Sequence, residues 1–101
     1  NKAKISIESI QELVCDYFNI PTNKVKDKTR KQEIVEARQI AMYLAKQYTE
    51  SSLKTIGLHF GGRDHSTVIH AVRTIENLLE NSVKHQRILK EVRQKIEVST
   101  L

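Results

Sequence analysis

The chain has 101 residues, of which 39% are hydrophobic and 29% are charged, and its formal net charge is +5. This length allows one domain with a modest core, and the composition is that of a folded globular protein. No apolar run approaches the length of a membrane span, and we expect no signal peptide, because the first residues lack its pattern. The single cysteine, Cys15, forms no internal disulfide and suits a reducing compartment. The positive charge favours an anionic partner, although a basic surface without a partner is the alternative.

The first half of the chain divides into helical and basic segments. Ser6 is a good N-cap for a first helix, which ends at 19–21 because Pro21 has no amide to donate. A single helical turn is predicted at 22–25. The basic run 26–31 has no apolar period and is interpreted as an exposed loop, although such runs are usually only solvated surface. A long amphipathic helix is predicted from about Glu33 to Tyr48.

The second half begins with a short helix and a glycine break. Ser51 or Ser52 can cap the short helix, and Gly57 would let another helix pack against bare backbone. Gly61 and Gly62 can adopt the positive φ values of a sharp turn.

Two longer helices follow the break. Asp64 caps the first of them, and Asn81-Ser82 separates it from the last. Apolar residues at three- and four-residue spacing predict buried stripes on both, at Val68, Ala71, Val72, Ile75, Leu78, Leu79, Ile88, Leu89, Val92 and Ile96. We therefore predict an all-α, compact single domain over residues 1–101, with about six helices.

The short helix, the turn and the polar-headed helix together describe a helix-turn-helix, whose second helix enters the major groove of DNA. Its first turn carries Asp64, His65, Ser66 and Thr67, all hydrogen-bonding side chains with little apolar bulk. Imidazole and hydroxyl groups can bond base edges, and a threonine methyl can touch a thymine methyl. Asp64 could cap the helix only, or also accept from a cytosine amino group. An ordinary helical hairpin without DNA stays open as well.

Beside such a motif, the basic segment is a candidate DNA-binding arm, because a flexible basic arm can reach the adjacent minor groove. Arg30 is the best candidate, since arginine suits a narrow and electronegative minor groove. Lys28 and Lys31 are expected to meet phosphates. On the long helix, Gln39 and Lys46 share one face, and Arg38 lies slightly to the side.

Several kinds of active site are not supported. His59, His65 and His70 fall on different helical faces without a cysteine pair, which argues against a metal site. Asp64, His65 and Ser66 are neighbours on one turn and cannot form a base–nucleophile relay. No GxxxxGK[ST] loop is present, so we expect this segment neither to bind nor to hydrolyse ATP. We expect no enzymatic activity, metal or cofactor here.

The stretch Ile56–Ala71, with Gly-Gly-Arg-Asp-His at its centre, closely resembles the signature of the bacterial chromosomal replication initiator family, DnaA. Residues 38–45, Arg-Gln-Ile-Ala-Met-Tyr-Leu-Ala, resemble that family's long central helix, and the segment around Arg30 sits where its basic loop does. The resemblance covers essentially the whole chain, as the C-terminal DNA-binding domain of a larger initiator. It implies a bacterial, cytoplasmic and nucleoid-associated protein.

The resemblance also implies binding to double-stranded origin boxes of the TTATNCACA kind. It places Arg30 in the minor groove and the four residues of the polar first turn on major-groove bases. Contacts with the DNA backbone are expected from Lys28, Lys31, Arg38, Gln39, Lys46, Lys54 and Arg63. The family's ATP-binding domain would precede Asn1, so ATP and self-assembly belong to that missing part.

Some positions depart from the family pattern. Ser66 stands where threonine is frequent, and Lys54 and Ala37 stand where proline is common. Gln32-Glu33 shortens the basic run, which leaves open whether Gln32 replaces a second minor-groove contact.

Three other functions are alternatives to sequence-specific DNA binding. A helical module could use its basic face to bind an acidic protein, and would then show no preference among DNA sequences. Acidic phospholipids could bind the basic segment, although it lacks the apolar face of an interfacial helix. RNA binding lacks an exposed aromatic platform for unstacked bases.

Overall fold

The computed structural model describes residues 5–99, and every regular element within that range is helical. The elements are α1 (Ile7–Phe18), a 3₁₀ helix (Thr22–Lys26), α2 (Gln32–Tyr48), α3 (Leu53–His59), α4 (His65–Asn81) and α5 (Val83–Ser99). The all-α class is confirmed, and the 3₁₀ helix brings the described elements to the expected six. The extent of the domain, 1–101, stays a prediction whose ends, 1–4 and 100–101, lie outside the described residues.

Side-chain oxygens cap the starts of four of these helices. Each oxygen accepts the amide of the residue three positions further on, which satisfies one of the free donors of the first turn. The caps are Ser6, Ser52, Asp64 and Ser82, at 3.0, 3.1, 3.1 and 3.3 Å. Ser52 is therefore the cap of α3, out of the two serines that the sequence allowed.

Helix α2 lies at the centre of the fold. It packs most extensively against α4 and next against α1, while α5 packs against both α1 and α4. Ala41 and Ala45 are fully buried on α2, and their small side chains let the neighbouring helices approach closely. The described core is one cluster to which every helix contributes. Phe60, fully buried after the end of α3, anchors the turn region to it.

A buried amide fixes the end of α3 against α1. Gln11 is only 1% exposed, and its Nε2 donates to the backbone oxygen of His59 at 2.8 Å. The bond satisfies a carbonyl that the end of a helix leaves without an intrahelical partner. The ring of His59 adds a second tie, because its Nε2 lies 3.1 Å from a carboxylate oxygen of Glu8. Helix α1 therefore holds α3 at the point where the turn begins.

Candidate nucleic-acid interface

The turn between α3 and α4 is closed by a backbone contact that requires glycine. The amide of Arg63 donates to the carbonyl of Gly57 at 3.0 Å, and a Cβ at Gly57 would lie only 2.1 Å from the Arg63 oxygen. Bare backbone at Gly57 was expected to accommodate another helix. The turn itself packs there instead, so the approach of α4 to α3 is set by main-chain atoms.

The first turn of α4 is exposed to solvent. One carboxylate oxygen of Asp64 accepts three hydrogen bonds: from the Thr67 amide at 3.1 Å, and from the Thr67 and Ser66 hydroxyls at 3.0 Å each. The bond from the Thr67 amide is the main cause that holds the pKa of Asp64 below its usual range. Both hydroxyl hydrogens are therefore engaged, and only oxygen lone pairs remain free to face a ligand.

His65 differs from its neighbours on this turn. Its imidazole is exposed and forms no hydrogen bond with any residue between 5 and 99. Both ring nitrogens are available to a ligand, one as donor and one as acceptor when the ring is neutral. His65 is thus the most versatile hydrogen-bonding group of the turn.

The basic loop (residues 27–31) is anchored by Arg38 from α2. Arg38 is 8% exposed, and its Nε donates to the Val25 carbonyl at 3.1 Å. Its Nη2 donates to the carbonyls of Asp27 at 2.8 Å and Thr29 at 3.1 Å. Burial is the main cause that lowers the pKa of the guanidinium, which still stays charged. The single guanidinium of Arg38 therefore fixes three backbone carbonyls between Val25 and Thr29.

A second arginine joins the loop to the helix-turn-helix. Arg63 donates through Nη2 to the same Asp27 carbonyl at 2.8 Å, and through Nη1 to the carbonyl of Phe60. Gly61, with φ at 84°, brings the turn so close that a Cβ there would lie 2.3 Å from the Lys26 oxygen. We call Arg38, Arg63 and Gly61 the loop clamp. It holds the loop and the turn as one unit.

The other predicted contact residues are distributed around this unit. Gln39 is half-buried, whereas the remaining side chains are exposed: Lys28, Arg30, Lys31, Lys46 and Lys54. The backbone of the loop is thus fixed while its basic side chains stay free.

The clamp changes the interpretation of Arg38 and Arg63. Both were expected to contact the DNA backbone, but their guanidinium groups are engaged with carbonyls of this chain. Their observed role is to position the loop, and a direct contact with DNA stays a prediction for each. Nothing in the sequence indicates this role, because a basic residue beside a basic loop looks like one more phosphate contact.

The described residues were also compared with the requirements of a metal site, a reactive thiol and a membrane span. Across the described range, no group of three or more His, Cys, Asp or Glu side chains could hold a metal ion. Cys15 is 1% exposed, and burial raises the pKa of its thiol, as for a packing residue. None of the described helices is long and apolar enough to cross a membrane.

The fold and the site define a class of protein: a helix-turn-helix domain with a capped, exposed second helix and a basic loop clamped beside it. A family model, the bacterial dnaA protein helix-turn-helix, matches residues 7–75. Because this match covers more than half of the chain, the chain belongs to the bacterial DnaA helix-turn-helix family.

Similar proteins agree with this assignment. The chain is 52% identical over 101 residues to the chromosomal replication initiator protein DnaA of Chlorobaculum tepidum, and 45% identical over 93 residues to that of Enterococcus faecalis. These matches cover 100% and 92% of the chain but only 20% and 21% of the relatives. The chain thus spans about a fifth of their length.

A solved structure shares the fold. The crystal structure of a DNA replication initiation factor superposes with a TM-score of 0.81 at 29% sequence identity. The superposition covers 94% of this chain and 29% of the other.

Proposed function

We propose that this chain is the duplex DNA-binding part of a replication initiator and that it recognises origin boxes of the TTATNCACA kind. The observation that carries the proposal is the clamp between the basic loop and the helix-turn-helix. The clamp holds the basic loop and the first turn of α4 in a fixed relative position. Such a fixed position is needed if the two elements are to bind a major groove and the neighbouring minor groove at the same time.

The first turn of α4 supplies the major-groove contacts in this proposal. His65 donates to or accepts from a base edge, because neither ring nitrogen has a partner among the described residues. Ser66 and Thr67 accept from base amino groups or release Asp64 on binding. Asp64 keeps the helix capped, and its negative charge restricts which base can lie beside it.

The basic loop supplies the minor-groove and phosphate contacts. Arg30 enters the minor groove, and Lys28 and Lys31 meet the phosphates on either side. From α2 and α3, Gln39, Lys46 and Lys54 add further contacts with the backbone, which set affinity and register rather than sequence preference.

In this proposal the chain has no catalytic step of its own. ATP binding and assembly with further copies belong to the part of a longer initiator outside this stretch, and the protein acts at the nucleoid in the bacterial cytoplasm. Acidic phospholipids are a secondary ligand of the basic surface.

The test is a fluorescence-anisotropy titration with two duplexes of equal composition, one carrying the box and the other a scrambled box. We expect at least a hundredfold preference for the box at about physiological salt, which corresponds to about 2.7 kcal/mol. Binding to both duplexes should weaken with salt by about 0.9 log unit per neutralised phosphate for each decade. Equal affinity for both would reject box recognition and favour an acidic protein partner.

A further inference from the structure

Helix α5 carries a concentration of positive charge that the proposed interface does not use. It holds five basic and two acidic side chains, whereas α1, which packs against it, holds three acidic and no basic ones. The charge of the molecule is therefore not confined to the loop and the helix-turn-helix.

The outward side of α5 carries mostly polar groups, with the exposed Val83 and Val98 among them. Its buried side consists of Ile88, Leu89, Val92 and Ile96. On the opposite side, Arg87, Lys90 and Gln94 line a shallow surface depression, and Lys84 flanks them. We call these four residues the α5 ridge. Three cations thus lie within about 9 Å along the helix axis.

The cations of the ridge have no bonding partner within the described fold. Lys84, Arg87 and Lys90 are exposed and form neither a hydrogen bond nor an ion pair with other described residues, although the charge of Arg87 acts on the Tyr17 hydroxyl of α1. Arg93, on another side of α5, shows the contrast: it lies over the Tyr43 and Tyr48 rings and donates to the Tyr43 hydroxyl. An acidic side chain, Glu91, lines the same depression and accepts a hydrogen bond from Tyr17 of α1.

We propose that the α5 ridge is a second, sequence-independent contact with the phosphate backbone of duplex DNA, outside the stretch that the first turn of α4 meets. The inference rests on the proposed function. Helix α4 has 17 residues and is therefore about 25 Å long, and α5 begins only after its far end. Lys84, the first cation of the ridge, therefore lies about the length of α4 from the exposed first turn.

The chemistry of the ridge fits phosphate better than the alternatives. Lysine and arginine side chains, with an amide donor such as Gln94, are the usual partners of phosphate oxygens. Three cations over about 9 Å match two or three phosphates of one strand, which rise by about 3.4 Å each. A protein partner would call for an aromatic anchor, which the ridge lacks, and a membrane surface would call for a broad apolar face.

The test compares wild-type protein with the double variant Arg87→Gln/Lys90→Gln on two duplexes. One ends at the edges of the box, and the other extends it by about 15 base pairs on each side, which adds phosphates without a second box. On the long duplex, the double variant should lose about 2 units of the salt slope. Its gain in affinity between about 200 and about 50 mM salt should then be about tenfold smaller than that of wild type. On the short duplex it should bind like wild type.

Lys90→Gln and Lys95→Gln form the matched control pair. Both remove one lysine from an exposed site on α5, but Lys90 lines the depression that contains Arg87, whereas Lys95 lies about 140° further round the helix, beside Leu13 and Tyr17. Only Lys90→Gln should weaken binding to the long duplex. Thermal unfolding of each variant checks that the fold is unchanged.

Unchanged binding of the double variant to the long duplex, or an equal loss on both duplexes, would overturn the inference. So would an equal effect of the two single variants. The variants are also tested on vesicles of anionic phospholipid, and a loss of binding confined to these vesicles would overturn the inference as well. Failure of the proposed function would look different, because wild-type protein would then bind box and scrambled box equally.

Discussion

The loop clamp and the first turn of α4 lie side by side and are built in opposite ways. In the clamp, charged groups turn inward, and Arg38 and Arg63 saturate backbone carbonyls. In the first turn the polar groups face solvent, and among the described residues the hydroxyls of Ser66 and Thr67 have only the capping carboxylate of Asp64 as a partner.

The difference separates two tasks that residue types do not distinguish. A binding surface needs a fixed backbone and side chains with free hydrogen-bonding capacity. The clamp provides the first by using arginines as internal donors, and the turn provides the second by keeping its side chains short and exposed. Changes in the clamp should therefore reduce stability, whereas changes in the turn that leave the Asp64 cap intact should alter binding alone.

The largest effect should come from Gly61→Ala. Alanine at a positive φ costs about 1 kcal/mol, and a Cβ 2.3 Å from the Lys26 oxygen adds overpacking of about 2 kcal/mol. Gly62→Ala is the matched control, because its φ of 76° is similar but its Cβ would meet nothing within 4 Å. Urea unfolding should show a loss of about 3 kcal/mol for Gly61→Ala and about 1 kcal/mol for Gly62→Ala. Equal losses would mean that the loop and the turn are not in contact.

Arg38→Ala should lower the free energy of unfolding by about 2 kcal/mol, because it removes three hydrogen bonds from a charged donor and leaves carbonyls of the loop path without partners. Box affinity should fall as well, since Arg30 would lose its fixed position. Lys46→Ala, an exposed change on the same helix, should alter stability by less than about 0.5 kcal/mol. If Arg38→Ala weakens DNA binding while the unfolding transition stays in place, Arg38 is a direct contact instead.

His65→Ala tests the first turn of α4, where we expect DNA binding to change and stability to stay the same. It should weaken binding to the box by about 1–3 kcal/mol and to a scrambled duplex much less, because a base contact carries sequence information. Its unfolding transition should match that of wild type, since the imidazole forms no hydrogen bond with a described residue. A loss of the same size on both duplexes would remove His65 from base reading.

Arg30→Ala should weaken box binding by about 1 kcal/mol, with the loss of one charge-assisted contact. The loss should depend on the A·T content at the edge of the box, because A·T-rich minor grooves are narrow and electronegative. Anisotropy titrations against boxes with A·T or G·C edges measure this dependence. A loss that is indifferent to the edge would make Arg30 a phosphate contact.

Asp64→Asn should have the smallest effect, because asparagine caps a helix as well as aspartate. The lowered pKa means that the ionised carboxylate stabilises the folded state. This contribution is complete above the ordinary pKa of about 3.9 and is lost as the pH falls through the lowered folded value. Urea unfolding should therefore favour wild type at pH 7 and show little difference once the carboxyl is protonated. A constant difference at every pH would assign the stabilisation to hydrogen bonding alone.

Local features of the fold were readable from the sequence. The apolar stripes, the caps Ser6 and Asp64, and the break at Pro21 each depend on residues within a few positions, so periodicity and capping preference suffice to place them. Within the stripes, Val72, Leu78 and Leu79 were predicted to be buried but are only partly buried at the edge of the core. The glycine turn and the polar head of α4 were readable for the same reason. Gln11 was not, because its partner, the carbonyl of His59, lies far away in the chain.

The sequence by itself determined an all-helical chain with a helix-turn-helix signature, an exposed polar turn and a basic loop. Only the tertiary structure decided which of the basic residues remain free. Arg30, Arg38 and Arg63 are the same residue type in or beside the same loop, yet of these three only Arg30 keeps its guanidinium exposed and without a hydrogen-bond or ion-pair partner in the described fold. A guanidinium donates equally well to a phosphate and to a backbone carbonyl, so its partner depends on which acceptors the fold brings within reach.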